Sequence, residues 1–245
     1  MTGKLRIAVD LDDVLAHTNL AAAQWHNERF GTKLELKHFY YVNYWKNPHW
    51  GTKDEATAKI KDFFTECIMD IKPVQDAYEQ LRELRIHGFE FIVVTARHIQ
   101  EEGRTKLWLE KHYPGIFEKL ICTGKFYKDA AGLERFMKTS KREVCELEKV
   151  SLLIDDSVEN AMECSWAVPI LLFGNYPWNR RISKEDHPDH FLSHAQRLVK
   201  SGGYPWWESE TVGALPRNVI RVGDWSVVAE KVLAMFEPDP ENLSH

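Results

Sequence analysis

Residues 5–15 read Leu-Arg-Ile-Ala-Val-Asp-Leu-Asp-Asp-Val-Leu: a short, mostly apolar run that passes without a break into aspartates at 10, 12 and 13. Such a run reads as a strand covered on both faces. Setting carboxylates at its exit is costly unless something there uses them. The pattern recurs. Phe89–Thr95 (FEFIVVT), Lys119–Thr123 (KLICT), Val150–Asp155 (VSLLID), Val168–Phe173 (VPILLF) and Asn218–Val222 are further strand candidates. Between them lie helical spacings. Val74, Ala77, Tyr78, Leu81 and Leu84 recur at steps of three and four, with Gly88 where a helix ends. Strands alternating with helices predict an α/β fold, a Rossmann-like doubly wound parallel sheet with helices on both faces.

Two stretches interrupt the alternation. From 17 to 71 the pattern is helical and rich in rings, and Thr52 with Glu55 forms a capping box at the head of its last helix. That is longer than an ordinary crossover and predicts a small helical insert after the first strand. From 175 to 217 the chain is polar and rich in Trp, Pro and Gly, a long loop insertion with one helix expected near 191–200. A last amphipathic helix is expected at Trp225–Phe236. The domain reading is therefore a core of 1–16 and 72–245, and an insert of 17–71.

The 245 residues carry 32 Lys+Arg against 37 Asp+Glu, a formal charge of −5, with 44% hydrophobic residues. Mild acidity with mixed signs argues against a nucleic-acid polymer as partner. No apolar run approaches a membrane span, and the N-terminal residues lack the apolar stretch of a secretory signal. Cys67, Cys122, Cys145 and Cys164 are scattered without a CxxC pair, as expected of reduced thiols in the cytoplasm.

In open parallel sheets ligands gather at the carboxyl ends of strands. The first strand ends in Asp10 and Asp12, the second in Thr95, Ala96 and Arg97, and the fourth in Asp155 and Asp156. Ser140 and Glu143 form a second capping box, which places Lys141 at the first turn of a helix. Crowded carboxylates call for a hard cation, and an all-oxygen set favours Mg²⁺. Thr95 and Lys141 can hold a phosphate, one carboxylate can attack phosphorus, and one two residues on can carry the proton. Together these features predict phosphoryl transfer on a small phosphorylated metabolite.

The motifs DLDDV at Asp10–Val14, Thr95 in VVTAR, Lys141 and the pair Asp155–Asp156 resemble those of the haloacid dehalogenase-like superfamily, over Leu5 to about Phe173. Within it DLDDVLA, ICTGKF, SKREVCE, LLIDDSVENA and FGNYPWNR look like the 5′(3′)-deoxyribonucleotidase-like branch. The resemblance implies that Asp10 is the nucleophile of an aspartyl-phosphate route. It makes Asp12 the acid and then the base, with its backbone carbonyl on the metal. Asp10, Asp12, Asp155 and Asp156 form the Mg²⁺ site, Thr95, Ala96 and Lys141 bind phosphate, and the helical insert is a type-1 cap. An acid at position 12 speaks against dehalogenation.

The expected activity is that of a Mg²⁺-dependent phosphatase, on a nucleoside monophosphate or alternatively on a sugar phosphate or another metabolite. A catalytically idle binding protein with 175–217 as its partner surface is the reading from another class. Lys125, in CTGKF, competes with Lys141 for the phosphate. Tyr44, Trp45, Arg97 and His98 are candidate pocket residues, and the ring-rich run Phe39–Trp45 holds more aromatics than a small core hides. His187, Asp189, His190 and His194 suggest a metal cluster, but Pro188 breaks the helix such a cluster would need. The segment Tyr176-Pro177-Trp178 ahead of Asn179, Arg180 and Arg181 reads as a loop anchored by its tryptophan.

Overall fold

The computed structural model describes residues 5–128, 134–183 and 187–236; of 125–128 and 134–138 the backbone alone is described. The first strand, β1 (Arg6–Val9), is followed by α1 (Thr18–Phe30), α2 (Lys53–Cys67) and α3 (Ala77–Ile86) before β2 (Glu90–His98) begins. Then come α4 (Glu102–His112), β3 (Phe117–Lys128), β4 (Glu134–Lys138), α5 (Lys141–Leu147), β5 (Leu152–Asp155), α6 (Val158–Cys164) and β6 (Ile170–Phe173). The chain closes with α7 (His194–Lys200), β7 (Val219–Val222) and α8 (Trp225–Phe236).

These strands form one seven-stranded sheet in the order β4-β3-β2-β1-β5-β6-β7. Every pairing is parallel except β3 with β4. The expected doubly wound α/β sheet is thus present, with β1 at its centre. The reason lies in β1 itself: Ile7, Ala8 and Val9 are wholly buried, and alternate residues feed two cores. Ile7 and Val9 join the larger, with Phe91, Val93, Trp108 and Trp225, whereas Ala8 joins Ile92, Val94, Leu153 and Leu172 on the other face. The larger core also takes in Phe39, Trp50 and Phe63 from the segment between β1 and β2.

Sequence and structure differ in two places. The third strand was expected to end at Thr123; it continues to Lys128 and turns back as β4, pairing from Gly124↔Lys138 to Lys128↔Glu134. This stretch carries charges at 125, 128, 134, 135 and 138, the composition by which sheet edges are protected from further pairing. That composition hides the strand from a search for apolar runs. Within 17–71, α1 and α2 are joined by chain with only two single 3-10 turns, Leu36–His38 and Tyr44–Lys46, so the pattern there is not helical throughout. The capping boxes form as expected: Thr52 accepts from the Glu55 N–H and Ser140 from the Glu143 N–H, with the glutamates reciprocating. Gly88 follows α3 at φ +92°, a left-handed turn that suits glycine. No helix among the described residues is long and apolar enough to cross a membrane. All four cysteines are free thiols.

Candidate active site

Register brings the motif residues together. Val9 of β1 lies level with Val93 of β2 on one side and Ile154 of β5 on the other. The next residues, Asp10 and Asp155, therefore leave adjacent strands side by side, and Thr95 stands just beyond on β2. Asp10, Asp155 and Asp156 are all buried, and one carboxylate oxygen of each lies within 4.8 Å of the others.

Lys141 opens α5 behind its Ser140 cap and reaches into this cluster. Its Nζ lies 2.8 Å from Asp10 Oδ1 and 2.6 Å from Asp155 Oδ2, and the side chain is 1% exposed. Lys141, one of the two lysine candidates for the phosphate, thus stands within the carboxylate cluster; the side chain of the other, Lys125, lies outside the described residues. Burial opposes the charge on Lys141, yet the flanking Asp10 and Asp155 carry its ammonium well above the ordinary lysine range.

Burial acts in the other direction on the acids. It pushes Asp10 up to about 7 against the pull of Lys141, with Asp155 and Asp12 adding to the rise. Asp156 is raised well above the usual carboxylate range by burial and then by Asp10, Asp155 and Asp13; the Trp178 indole N–H, 2.5 Å from its Oδ2, opposes this. Asp155 accepts from the Ser157 N–H at 2.9 Å and from the Asn160 amide at 3.0 Å, so its orientation is fixed from the start of α6.

The Asp12 carboxylate lies outside this cluster. Arg97, itself 4% exposed, holds it in a fork: Nη2 donates at 2.7 Å and Nε at 3.1 Å to Oδ1, and Nε at 3.2 Å to Oδ2. Thr18 Oγ1 adds a hydrogen bond of 2.5 Å. The guanidinium also donates to Thr105 and lies 4.9 Å over the Phe64 ring. Asp13 sits at φ +60°, buried, with its carboxylate capped by the Asn19 N–H. Burial raises its proton affinity well above the usual range, the Asn19 bond opposing.

The phosphate-side candidates separate. Thr95 is fully buried and its Oγ1 accepts from the Arg97 N–H at 3.2 Å, whereas Ala96 is exposed at the rim. Among the pocket candidates Tyr44 reaches the site. Its hydroxyl donates to Asn19 Oδ1 at 2.6 Å, and burial followed by Asp13, Asp12 and Asp156 lifts its proton affinity. The Tyr44 ring, however, packs on Phe39 and Trp50. Trp45 turns away to the His190 carbonyl. Arg97 is committed to Asp12, and His98 is half-buried at the end of β2, its imidazole lowered by burial. Asp189 pairs with Lys200 and Arg197, and His194 packs against Trp206 and Trp207.

Several side chains at the site are not among the site residues expected from the sequence, which offers Tyr176 and Trp178 only as part of an anchored loop. Trp178 holds Asp156, and Tyr176, stacked on it at 4.3 Å, donates to the Asp13 carbonyl at 3.0 Å. Both follow β6 closely, so the rule of strand carboxyl ends reaches them. Thr18 and Asn19, at the head of α1, reach Asp12 and Asp13 through the turn that follows β1.

The donor set suits a cation in both charge and chemistry. One ammonium faces three buried carboxylates, and among the described residues no ion pair serves Asp156. A hard divalent ion with oxygen preference fits that deficit.

Against known proteins, a family model described as 5′ nucleotidase, deoxy (pyrimidine), cytosolic type C protein matches residues 4–169. No curated protein matches the sequence. Among solved structures, similarity extends to a conserved haloacid dehalogenase-like protein of unknown function from Agrobacterium tumefaciens (TM-score 0.56, 16% identity, 96% of this chain and 100% of that one). A haloacid dehalogenase-like hydrolase from Streptococcus pneumoniae aligns with TM-score 0.54 and 13% identity over 97% and 100% of the chains. A predicted phosphatase from Clostridium acetobutylicum aligns with 0.52 and 16% over 94% and 99%. At such identities these likenesses establish the fold.

Proposed function

The chain belongs to the 5′ nucleotidase, deoxy (pyrimidine), cytosolic type C family of the haloacid dehalogenase-like superfamily and is a phosphomonoester hydrolase of that kind; from this premise we propose how its residues carry the reaction. The observation that supports the reading best is the convergence of Asp10, Asp155 and Asp156 around Lys141, with Asp12 held two residues from Asp10 by a separate cation. The arrangement provides one carboxylate for attack and another for proton transfer, each with its own partner.

In the first step Asp10 attacks phosphorus. An Asp10 O–P bond forms, the P–O bond to the leaving alcohol breaks, and Asp12 gives its proton to the departing oxygen. In the second step Asp12 takes a proton from water, whose oxygen attacks phosphorus; the acyl phosphate opens, phosphate leaves and Asp10 is restored. Lys141 spans Asp10 and Asp155 and offers positive charge to the phosphoryl oxygens, while Thr95 supplies a hydroxyl donor. Arg97 is a positioning residue: its fork fixes the direction of Asp12. Asp10, Asp155 and Asp156, with the Asp12 carbonyl, would hold Mg²⁺, which supplies charge neutralisation for carboxylates and phosphate alike.

We assign residues 17–71 as a cap that shields this cleft from water and selects the substrate. Phe64 of α2 lies on the Arg97 guanidinium, so the cap touches the proton-transfer residue's partner directly. A nucleoside monophosphate is the proposed substrate class. The family description supports it. The test is phosphate release from nucleotides, sugar phosphates and an aryl phosphate, with Mg²⁺, with EDTA, and in Asp10→Asn. Metal-dependent release lost in the variant is expected. Equal release by Asp10→Asn, or by the wild type in EDTA, defeats the mechanism, and a preference for sugar phosphates defeats the substrate assignment.

A further inference from the structure

Beyond the carboxylate cluster, a cavity of about 450 Å³ opens between residues 37–40 and the segments around 175–181 and 207–208. Two independent features mark it. The first is charge. Arg180 and Arg181 line it, and Arg221 lies alongside, bonded through Nη1 and Nη2 to Asn179 at 3.0 Å each. Among the described residues none of these three guanidinium groups has a carboxylate in ion-pair range; the one carboxylate in the lining, Glu208, is set against Lys37, Arg180 and Arg181 and leaves the wall net positive. Arg180 is bonded to Asn175 Oδ1, and Arg181 to the carbonyls of Trp207 and Pro177. Burial lowers the proton affinity of Arg221, and the neighbouring Arg180 adds to the effect. The second feature is a ring platform. Tyr40 and Trp207 stack with centroids 4.6 Å apart and planes 11° from parallel, and both line the cavity. The Arg181 guanidinium lies 5.7 Å over the Tyr40 ring.

Forked guanidinium groups suit a phosphate, and an aromatic face suits a planar base of any identity. We propose that this cavity is a second binding site, for a nucleoside phosphate whose phosphate meets Arg180 and Arg181 and whose base lies against the Tyr40–Trp207 stack. It shares no lining residue with the carboxylate cluster. Its wall nonetheless includes Asn175 and Pro177, which flank Tyr176, the partner of Asp13. Occupancy is therefore expected to be felt at the catalytic end of the same loop, and the coupling must be reciprocal.

The experiment is binding to the full chain, read by calorimetry and by the indole signals of selectively labelled tryptophans. The probes are a non-hydrolysable nucleoside 5′-methylenephosphonate, the unphosphorylated nucleoside and inorganic phosphate. Two sites per chain are expected for the phosphonate, with one lost, or weakened at least tenfold, in Arg180→Gln and in Trp207→Ala. Arg180 is exposed, so that substitution leaves the fold intact. Inorganic phosphate is expected to bind Trp207→Ala as it binds the wild type. One site per chain, unchanged by either substitution, overturns the proposal. Equal affinity for inorganic phosphate and phosphonate overturns its ring half and leaves a plain anion site. Because the readout is binding, failure here is distinct from failure of the phosphatase mechanism.

Discussion

Lys141→Met replaces the one cation that, among the described residues, touches Asp10 and Asp155 by a side chain of similar length and no charge. At the observed separations of 2.8 and 2.6 Å, each pair is worth roughly 6 kcal/mol at an effective dielectric constant of 20. Desolvating the ammonium offsets much of that. Breaking a buried pair from one side costs about 3–5 kcal/mol in comparable cases, because the remaining charge is stranded. For a chain of this length, with about 2–4 °C per kcal/mol, the melting temperature should fall by about 6–20 °C. The loss has a pH signature. Without Lys141 the folded carboxylates bind protons more tightly than the unfolded ones, so folding is favoured at low pH and disfavoured as pH rises. The deficit should therefore widen between pH 5 and 8. Thermal unfolding of wild type and variant in EDTA across that range gives the answer, and Lys141→Met with Asp10→Asn should recover part of the loss. A deficit below about 1 kcal/mol at pH 8, or one independent of pH, would refute the view that Lys141 holds the cluster together.

Four further outcomes are expected. Asp10, at about 7 without metal, must ionise to hold Mg²⁺, so binding at pH 6 should release protons and weaken as pH falls; calorimetry in buffers of different ionisation enthalpy tests this, and identical heats count against it. Trp178→Phe removes the N–H donated to Asp156 and should weaken Mg²⁺ binding about tenfold or more, measured by titration of the metal-free protein. Arg97→Lys cannot reproduce the fork on Asp12 and should lower kcat at least tenfold while KM moves less than threefold; a change confined to KM would make Arg97 a substrate contact instead. Gly174, at φ +79°, would place a Cβ 2.2 Å from the Tyr176 ring. Gly174→Ala should cost about 1–3 kcal/mol and shift the Tyr176 resonances, as read by unfolding and NMR.

Much of this molecule was legible because strand ends and chemistry coincide. Asp10, Thr95 and Asp155 each follow an apolar run, and a parallel register from β2 through β1 to β5 makes their meeting unavoidable once the fold is known. Lys141 was found through its capping box, a local signal. Partners set by three-dimensional packing were harder to read. Arg97 follows Thr95 closely and was read as a pocket residue, but a buried guanidinium takes the nearest carboxylate, and that is Asp12. Trp178 was understood as an anchor without its polar edge, since no sequence spacing states which way an indole N–H points. The hairpin of β3 and β4 escaped because its charges imitate a loop.

The centre of the sheet is completed late in the chain. β1 precedes the other strands in the chain, yet its second neighbour, β5, begins at Leu152, and the Val14 carbonyl waits for the Trp225 indole N–H, 211 residues on. At about 5–20 residues per second on the ribosome, Trp225 is made about 10–40 s after Val14. During synthesis one edge of this apolar strand therefore stays open to the wrong partners. Chains released near residue 169, though they contain every motif aspartate, should aggregate rather than fold, and the speed at which the residues from 170 to 225 are translated should set the yield of native enzyme.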